Sequence, residues 1–282
     1  MTIPISKAVL ITGCSTGIGR ATALLLAERG YPVYATARRL ESIADLATRG
    51  CRTLQLDVCD ETSMIAAVRT IEASEGGVGI LVNNAGYGLE GAFETTSMPD
   101  VRRQFETNVF GLTRLTQLVL PGMRRQRWGR IVNVSSVGGK LTLPGGAFYH
   151  ATKHAVEAIS DALRFEVREF GIDVIVIEPG SIKTRFADTS TASIAQQGDG
   201  PYAAFNAEVA AKIKDAFEGR LAAFAGEPVD VARKIERAIS APKPRTRYPV
   251  TAAAHVLTRL RAMLPDRAFD AFLRTQFKPP QP

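Results

Sequence analysis

Tyr149 and Lys153 stand four positions apart in the stretch FYHATKHAV, so on a helix they share one face. A lysine ammonium beside a phenol favours tyrosinate and lowers a pKa that is about 10 when unperturbed. A tyrosine tuned in that way exchanges a proton with an alcohol or a carbonyl near neutral pH. The pair alone is a weak signal, since a ring packed over a lysine stem has the same spacing. It gains weight from three segments upstream: TGCSTGIG at 12–19, NNAG at 83–86 and NVSS at 133–136.

In that order and at those separations the segments resemble the short-chain dehydrogenase/reductase family, in its single-domain branch. The stretches ITGCSTGIG, VYATARR and NNAGYGLEGAFE are further similar to the branch that holds hydroxysteroid and retinol dehydrogenases. The first segment follows an apolar run and opens a helical pattern, the context in which such glycines mark a dinucleotide-binding turn. Gly13 allows the tight turn, Gly17 lets backbone approach a pyrophosphate, and Gly19 permits close packing of helix on strand. Ser15, Thr16 and Ile18 complete the loop, and the helix start offers free N–H groups and the positive dipole end to phosphate. A plain Gly-rich turn is the bland alternative.

An NAD-preferring site puts an acidic residue at the end of the second strand, against the ribose 2′-hydroxyl. This chain reads Thr36-Ala37-Arg38-Arg39, with Ala37 in that place. A carboxylate would repel a 2′-phosphate, whereas a guanidinium binds it in a bidentate way. Arg38 is the leading phosphate ligand, with Arg39 and Ser15 as helpers, and NADP(H) is the expected cofactor. Thr16 departs from some NADP-preferring relatives, which carry a second basic residue there. Two solvated charges at a helix start are the competing reading of the arginines.

The resemblance implies further contacts. Asp57 matches the position that holds the adenine amino group, with Val58 beside it. Asn83 and the small residues after it, Asn84-Ala85-Gly86, let the chain pass close to the cofactor. Pro179-Gly180 match the segment at the nicotinamide carboxamide, with the Ile182 backbone and the Thr184 hydroxyl. Ser136, thirteen residues before Tyr149, matches the catalytic serine; Ser135 competes, but strand alternation lets only one of the two face the site. Lys153 would hold the ribose hydroxyls, and Asn108 matches a residue that anchors a water beside that lysine. The catalytic set so implied is Asn108, Ser136, Tyr149 and Lys153, with Tyr149 and Lys153 also touching the cofactor.

These residues need a scaffold. Apolar runs at 8–12, 32–37, 53–58, 80–84, 130–135 and 174–179 alternate with helical patterns near 18–29, 41–49, 61–74, 99–126 and 150–170. Runs apolar on both faces are what a parallel sheet covered by helices requires. The alternation predicts an α/β fold, a single-domain, doubly wound parallel sheet of Rossmann type with helices on both faces. One domain over 1–282 is expected, with a substrate lid at 185–226, a last strand at 247–251 and a helical extension at 252–282. On the helix at 150–170, Ala151, Ala155, Ala158 and Ala162 line one side and Val156, Ile159, Leu163, Val167 and Phe170 another. The second, flat stripe suggests burial against another subunit in a homodimer or homotetramer; a helix set deeper in its own core would read alike.

The 282 residues carry a net charge of +7, all of it in 230–282, where eleven Lys/Arg face four Asp/Glu. These charges are scattered without interleaved aromatics, which favours a solvated face over a nucleic-acid-binding one. No apolar run is long enough to span a bilayer, the N-terminus reads as a strand, and Cys14, Cys51 and Cys59 read as reduced thiols of a cytoplasmic protein. Three histidines without ligand spacing imply no metal, and His150, His154 and Trp128 read as structural.

The expected function is hydride exchange between NADP(H) and a ketone or secondary alcohol. Leu89, Phe93, Leu141, Leu143, Phe148, Phe186, Tyr202 and Phe205 are expected around the reacting centre, with no arginine cluster for a phosphate or diacid, which points to a bulky apolar, steroid-, retinoid- or lipid-like substrate. The leucines of the extension could cap that pocket or make peripheral contact with lipid; a helix docked on the sheet edge is the alternative. Two other readings compete. A non-catalytic NADP-binding regulator or scaffold has no need of the tetrad, and an epimerase or dehydratase of the larger branch has a longer substrate domain and a different glycine spacing.

Overall fold

At the first strand Leu10, with Ala8 just before the strand, packs to one side and Val9 and Ile11 to the other, and each is buried. The same alternation splits Ile131 from Val132, and Val174 from Ile175, between two apolar layers. A computed structural model, which describes residues 4–195 and 200–280, arranges these strands in one seven-stranded sheet. The strands are β1 (Val9–Ile11), β2 (Val33–Ala37), β3 (Arg52–Gln55), β4 (Ile80–Asn83), β5 (Gly129–Val134), β6 (Ile172–Glu178) and β7 (Arg247–Pro249). Their order is β3-β2-β1-β4-β5-β6-β7, and every neighbouring pair is parallel. The order reverses between β1 and β4, so a crevice opens at the carboxyl ends of those two strands.

Helices α1 (Gly17–Glu28) and α8 (Pro228–Ser240) cover one face through Ala23, Leu26, Val231 and Ile235. On the other face lie α2 (Glu61–Glu75), α4 (Leu112–Arg125) and α5 (Ala147–Val167), through Ile71, Leu115, Met123 and Val167. Between α2 and α4 comes α3 (Met98–Phe105). After β6 follow α6 (Phe186–Ala195) and α7 (Ala203–Glu218), and beyond β7 come α9 (Ala252–Met263) and α10 (Asp266–Gln276). Residues 196–199 of the expected lid, and the chain ends 1–3 and 281–282, lie outside the described residues. Among those described, no helix is long and apolar enough to cross a membrane.

Three elements differ from expectation. The pattern at 41–49 forms a 3₁₀ run, Leu40–Arg49. There the Ser42 and Thr48 hydroxyls donate to carbonyls three residues back, at 2.6 and 2.8 Å, which tightens the turn. The run at 53–58, read as buried, is the edge strand β3, whose Arg52 pairs with Glu75. The single helix expected over 99–126 is broken by a π-helical stretch, Glu106–Gly111, that carries Asn108. Wide turns of this kind concentrate at functional sites.

The extension also settles elsewhere than the sheet edge. Phe269 of α10 is buried, and the helix borders a groove of about 430 Å³ with Leu141, Leu143 and Ala147 before and at the start of α5.

Candidate active site

The glycine turn leaves β1 at the switch point. Gly13 has φ +73° and Gly17 φ +59°, conformations that a side chain would strain. Asn84 Nδ2 donates to the carbonyls of Thr12 and Gly13 at 2.8 and 3.2 Å, tying the turn to the exit of β4. Thr12 Oγ1 accepts from the amides of Asn84 and Ala85, both at 3.0 Å. Thr12 is thus a site residue that spacing did not single out, although it opens the quoted motif. A Cβ on Gly19 would collide with Asn84 Nδ2 and the Gly13 carbonyl oxygen, and this glycine therefore permits the close approach. Gly19→Ala is expected to cost about 1–3 kcal/mol and to weaken nucleotide binding. Thermal unfolding and nucleotide titration check this, and a variant as stable and as tight as the parent would show that the loop gives way.

The start of α1 has no side-chain cap and no acidic residue in its first turn, so its N–H groups point outward uncompensated. The segment Pro179–Thr184 arrives over it: a Cβ on Gly17 would stand 3.0 Å from Thr184 Cγ2. A groove of about 610 Å³ opens beside them, lined by Gly17, Arg20, Thr184 and Phe217. Thr184 Oγ1 accepts from the Phe186 amide at 3.2 Å, so the hydroxyl also starts α6. Ile182 is buried and bridges to Gly226, while a Cβ on Gly180 would collide with Thr251. Ser15 is half-buried, and Thr16 is the exposed residue before α1. Ile18 packs against the first apolar layer. Cys14 is wholly buried with its thiol pushed up to about 12 by burial, an inert small residue.

At the end of β2, Ala37 is buried while Arg38 and Arg39 are exposed. Asp57 Oδ1 accepts from the Cys59 amide at 2.9 Å, holding the turn at the buried Val58. Asn83 turns away from the crevice: its Nδ2 donates to Asn133 Oδ1 and Thr116 Oγ1, at 2.9 and 3.1 Å, in a polar ladder under the sheet.

Around Tyr149 the expected tetrad converges. Tyr149 lies in the first turn of α5, and Lys153 Nζ is 5.9 Å from its ring centroid. Ser136 caps the short 3₁₀ turn after β5, its Oγ accepting from Gly138 N at 3.0 Å, and it hydrogen-bonds Tyr149. Ser135 faces the other way: a Cβ on Gly139 would stand 2.8 Å from its Oγ and 2.9 Å from Glu157 Cγ. Asn108 donates to the Tyr87 carbonyl at 3.0 Å and to Thr152 Oγ1 at 3.1 Å, bracing the π turn against α5. A Cβ on Gly86 would meet Asn108 Oδ1 at 3.0 Å and Lys153 Nζ at 3.8 Å, so these three positions share one corner.

The electrostatics depart from the simple tyrosine–lysine argument. Burial pushes the Tyr149 phenol above its usual range, Ser136 pulls it back, and Glu90 raises it further. Burial also pulls the Lys153 ammonium down to about 8, against Glu157, which raises it. Lys153 Nζ donates to the Val134 carbonyl at 2.9 Å, and burial is the largest influence on both groups. The phenol therefore carries its proton at neutral pH in this chain.

Helix α6 lies against this corner. The Phe186 ring is 5.3 Å from Tyr149 and 6.2 Å from Phe217, and the Leu89 side chain is buried below. Phe93 and Phe148 stack at 4.9 Å toward the rim, where Phe93 is 70% exposed. Tyr202 donates to Glu94 at 2.8 Å, which turns its polar end to the outside, and Phe205 is half-buried. Leu141 and Leu143 face the α10 groove instead. Two buried residues that spacing passed over also meet here, Glu90 and His150. A lone glutamate inside LEGAF carries no periodic signal, and a histidine beside the tyrosine reads as structural.

The family model of short chain dehydrogenases matches residues 7–195. Over 269 residues the chain is 38% identical to YbbO, an uncharacterized oxidoreductase of Escherichia coli, covering 95% of this chain and 94% of that one. It is 34% identical to human retinol dehydrogenase 8 over 283 residues, covering 95% and 88% of the two chains. Over 186 residues it is 41% identical to 3-ketodihydrosphingosine reductase of Bacteroides thetaiotaomicron, 66% of this chain and 67% of that one. A crystal structure of a short-chain dehydrogenase from Streptomyces avermitilis matches with TM-score 0.79 at 32% identity over 96% of each chain. Serine dehydrogenase complexed with NADP+ gives 0.75 at 27% identity, over 87% of this chain and 95% of that one. A short chain dehydrogenase/reductase of Burkholderia phymatum in complex with NAD gives 0.76 at 25%, over 98% and 97%.

Proposed function

This chain belongs to the short-chain dehydrogenase family and is an oxidoreductase of that type, and from that premise we propose that it exchanges a hydride between NADP(H) and a bulky apolar ketone or secondary alcohol. The observation that carries the proposal is the convergence of Ser136, Tyr149, Lys153 and Asn108 beside the glycine turn.

The residues present fit a dinucleotide. The positive φ of Gly13 and Gly17 leaves room where a Cβ would intrude, and the uncapped start of α1 offers N–H donors to a diphosphate. Arg38, with Arg39 and Ser15, would take the 2′-phosphate; Asp57, Asn84, Ala85 and Gly86 would line the adenine and ribose side, and Ile182 and Thr184 the carboxamide. The nicotinamide, when bound, supplies or accepts the hydride. In reduction Tyr149 gives its phenolic proton to the carbonyl oxygen, and the Ser136 hydroxyl donates a hydrogen bond to the same oxygen as charge grows there. Lys153 holds the ribose hydroxyls, and Asn108 keeps the lysine's corner in place. The preference for NADP(H) is supported by Ala37 and the two exposed arginines, with solved relatives complexed with either NADP+ or NAD.

An apolar substrate is supported by Leu89, Phe186 and the Phe93–Phe148 stack near Tyr149, and by relatives named for retinol and for 3-ketodihydrosphingosine. Pairing of chains as a homo-oligomer is supported by the exposed small side chains Ala151, Ala158 and Ala162 on α5, with Phe165 beside them 87% exposed. A cytoplasmic setting completes the reading.

The substrate class is tested by comparing catalytic efficiencies with NADPH across ketones and aldehydes of similar size. Long-chain or polycyclic apolar carbonyls are expected to exceed phosphorylated or dicarboxylic ones by about 10²-fold or more, since each buried methylene contributes about 0.8 kcal/mol. Preference for the charged compounds would overturn the assignment.

A further inference from the structure

His150 follows the candidate tyrosine directly and belongs to none of the roles above. It is 7% exposed, and its ring stands 5.6 Å from the Tyr149 ring. Its backbone is held at both polar groups. The His150 amide donates to the Gly146 carbonyl at 2.9 Å, and the His150 carbonyl accepts from His154 Nδ1 at 2.9 Å. Two glycines flank the ring. Gly138 lies in the 3₁₀ turn Val137–Gly139 that Ser136 caps, and Gly146 precedes α5. A Cβ on Gly138 would collide with His150 Nδ1 and stand 3.4 Å from Ser136 Oγ. A Cβ on Gly146 would stand 2.6 Å from His150 Cδ2 and Nε2, with Glu90 Oε2 next at 2.8 Å. Neither glycine has a left-handed φ, so the backbone conformation calls for glycine at neither place. The ring does, because it fills the space of both missing Cβ atoms. It thereby separates the turn that follows Ser136 from the start of the helix that carries Tyr149.

The ring also bonds what it touches. Burial pulls His150 down to about 4, so the ring is neutral at pH 7. Its Nδ1 lies 3.1 Å from the Gly138 carbonyl oxygen, which can only accept, and Nδ1 thus carries the ring proton. Gly138 is therefore held at both of its polar groups. Its carbonyl accepts from His150, and its amide donates to Ser136 Oγ at 3.0 Å. That second bond occupies a lone pair of the serine oxygen and leaves the serine O–H to point at Tyr149 or at a substrate oxygen. The start of the turn is tied separately, by the Val137 amide donating to the Pro179 carbonyl at 2.9 Å.

We propose that His150 is a positioning residue for hydride transfer: its imidazole is the spacer that pins Gly138, and through Gly138 aims the Ser136 hydroxyl at the oxygen that Tyr149 protonates. The proposal deepens the hydride-transfer reading above and rests on it for the role of Ser136. His150 touches neither the substrate nor the nucleotide in this account and acts only through the serine. Without the ring, the Gly138 carbonyl loses a buried donor and the turn gains room to shift toward the vacated space, which is unfavourable for the one and loosens the other. A hydroxyl that stabilises growing charge must be aimed before the charge appears, so a small drift of Ser136 lowers the rate of the chemical step more than it lowers binding.

The test is a double-mutant cycle on the reduction of 2-decanone by NADPH. His150→Leu keeps much of the bulk and removes the donor, His150→Asn keeps an N–H on Cγ as the ring has it, and Ser136→Ala removes the hydroxyl. His150→Leu is expected to lower kcat by about 10–10²-fold, the scale of a misplaced group at the reacting centre, with NADPH affinity nearly unchanged. His150→Asn should stay within about fivefold of the parent, since the donor to Gly138 is kept. In the Ser136→Ala background the leucine change should cost less than about threefold, because the group it positions is gone. Equal losses in both backgrounds would mean that the ring only supports the fold, and would overturn the proposal. The unmodified protein gives a second measurement that needs no turnover. Its nitrogen-15 imidazole spectrum should show His150 neutral, with the proton on Nδ1, from about pH 6 to 8. A proton on Nε2, or titration near the ordinary value of about 6.5, would overturn the proposal. Parental turnover in Ser136→Ala would instead fault the hydride reading, while the spectrum decides the spacer by itself.

Discussion

Tyr149→Phe is expected to lower turnover by about 10²–10⁴-fold, the range for loss of a positioned general acid, while nucleotide affinity stays nearly unchanged. The substitution removes one oxygen and keeps the ring, so contacts to Phe186 and His150, with centroids at 5.3 and 5.6 Å, persist. Only the Ser136 hydrogen bond and the transferable proton are lost. The direction of pH dependence follows from burial. A phenol held above its ordinary pKa carries its proton at pH 7, which suits reduction. Oxidation needs the phenolate, so its rate is expected to rise as pH increases through the alkaline range. The ammonium of Lys153, pulled down to about 8, is lost over the lower part of that range, before the phenol ionises. Steady-state kinetics in both directions, with nucleotide binding measured separately, check this. Near-parental activity in the phenylalanine variant would remove Tyr149 from the chemistry.

The second large effect concerns the nucleotide. NADPH is expected to exceed NADH in catalytic efficiency by about 10²-fold, the scale of one or two charge-assisted hydrogen bonds. Arg38→Ala should abolish most of that preference, and Ala37→Asp combined with it should reverse the order by repelling the 2′-phosphate. Ala37 closes the first apolar layer at the end of β2, so the aspartate variant risks the fold. Arg38→Ala alone leaves that layer intact and keeps the test decisive. Equal efficiency with both nucleotides in the unmodified protein would show that Arg38 points away from the ribose.

Much of this architecture is written in residue order because two-sided burial has a plain signature. VLI, VYATA and VIVIE are apolar at every position or nearly so, and only a strand covered on both faces calls for that. The glycine turn is legible because Gly13 and Gly17 do need positive φ, and Gly19 does sit where a Cβ would collide. What escaped the sequence is set by contacts distant along the chain. The π turn at Asn108 forms where Gly111 packs against Val58, more than fifty residues earlier, and no helical periodicity reveals that. The raised phenol of Tyr149 comes from burial, to which Phe186 contributes, and from Glu90, which a two-residue argument about Tyr149 and Lys153 leaves out. Asn83 and Asn84 are adjacent and alike, and only the strand's alternation sends one to the polar ladder and the other to the glycine turn. The edge position of β3 likewise depends on strand order, which the run TLQLDV does not encode.

The most direct test of the central claim follows a label. With NADPH carrying deuterium at the transferable position of the nicotinamide and 2-decanone as acceptor, the alcohol formed is analysed by mass spectrometry. Hydride transfer within this site predicts one deuterium on the carbinol carbon, at a rate that collapses in Tyr149→Phe. Tight nucleotide binding with no label in any alcohol, across the whole apolar panel, would contradict the account and leave a nucleotide-binding protein without turnover.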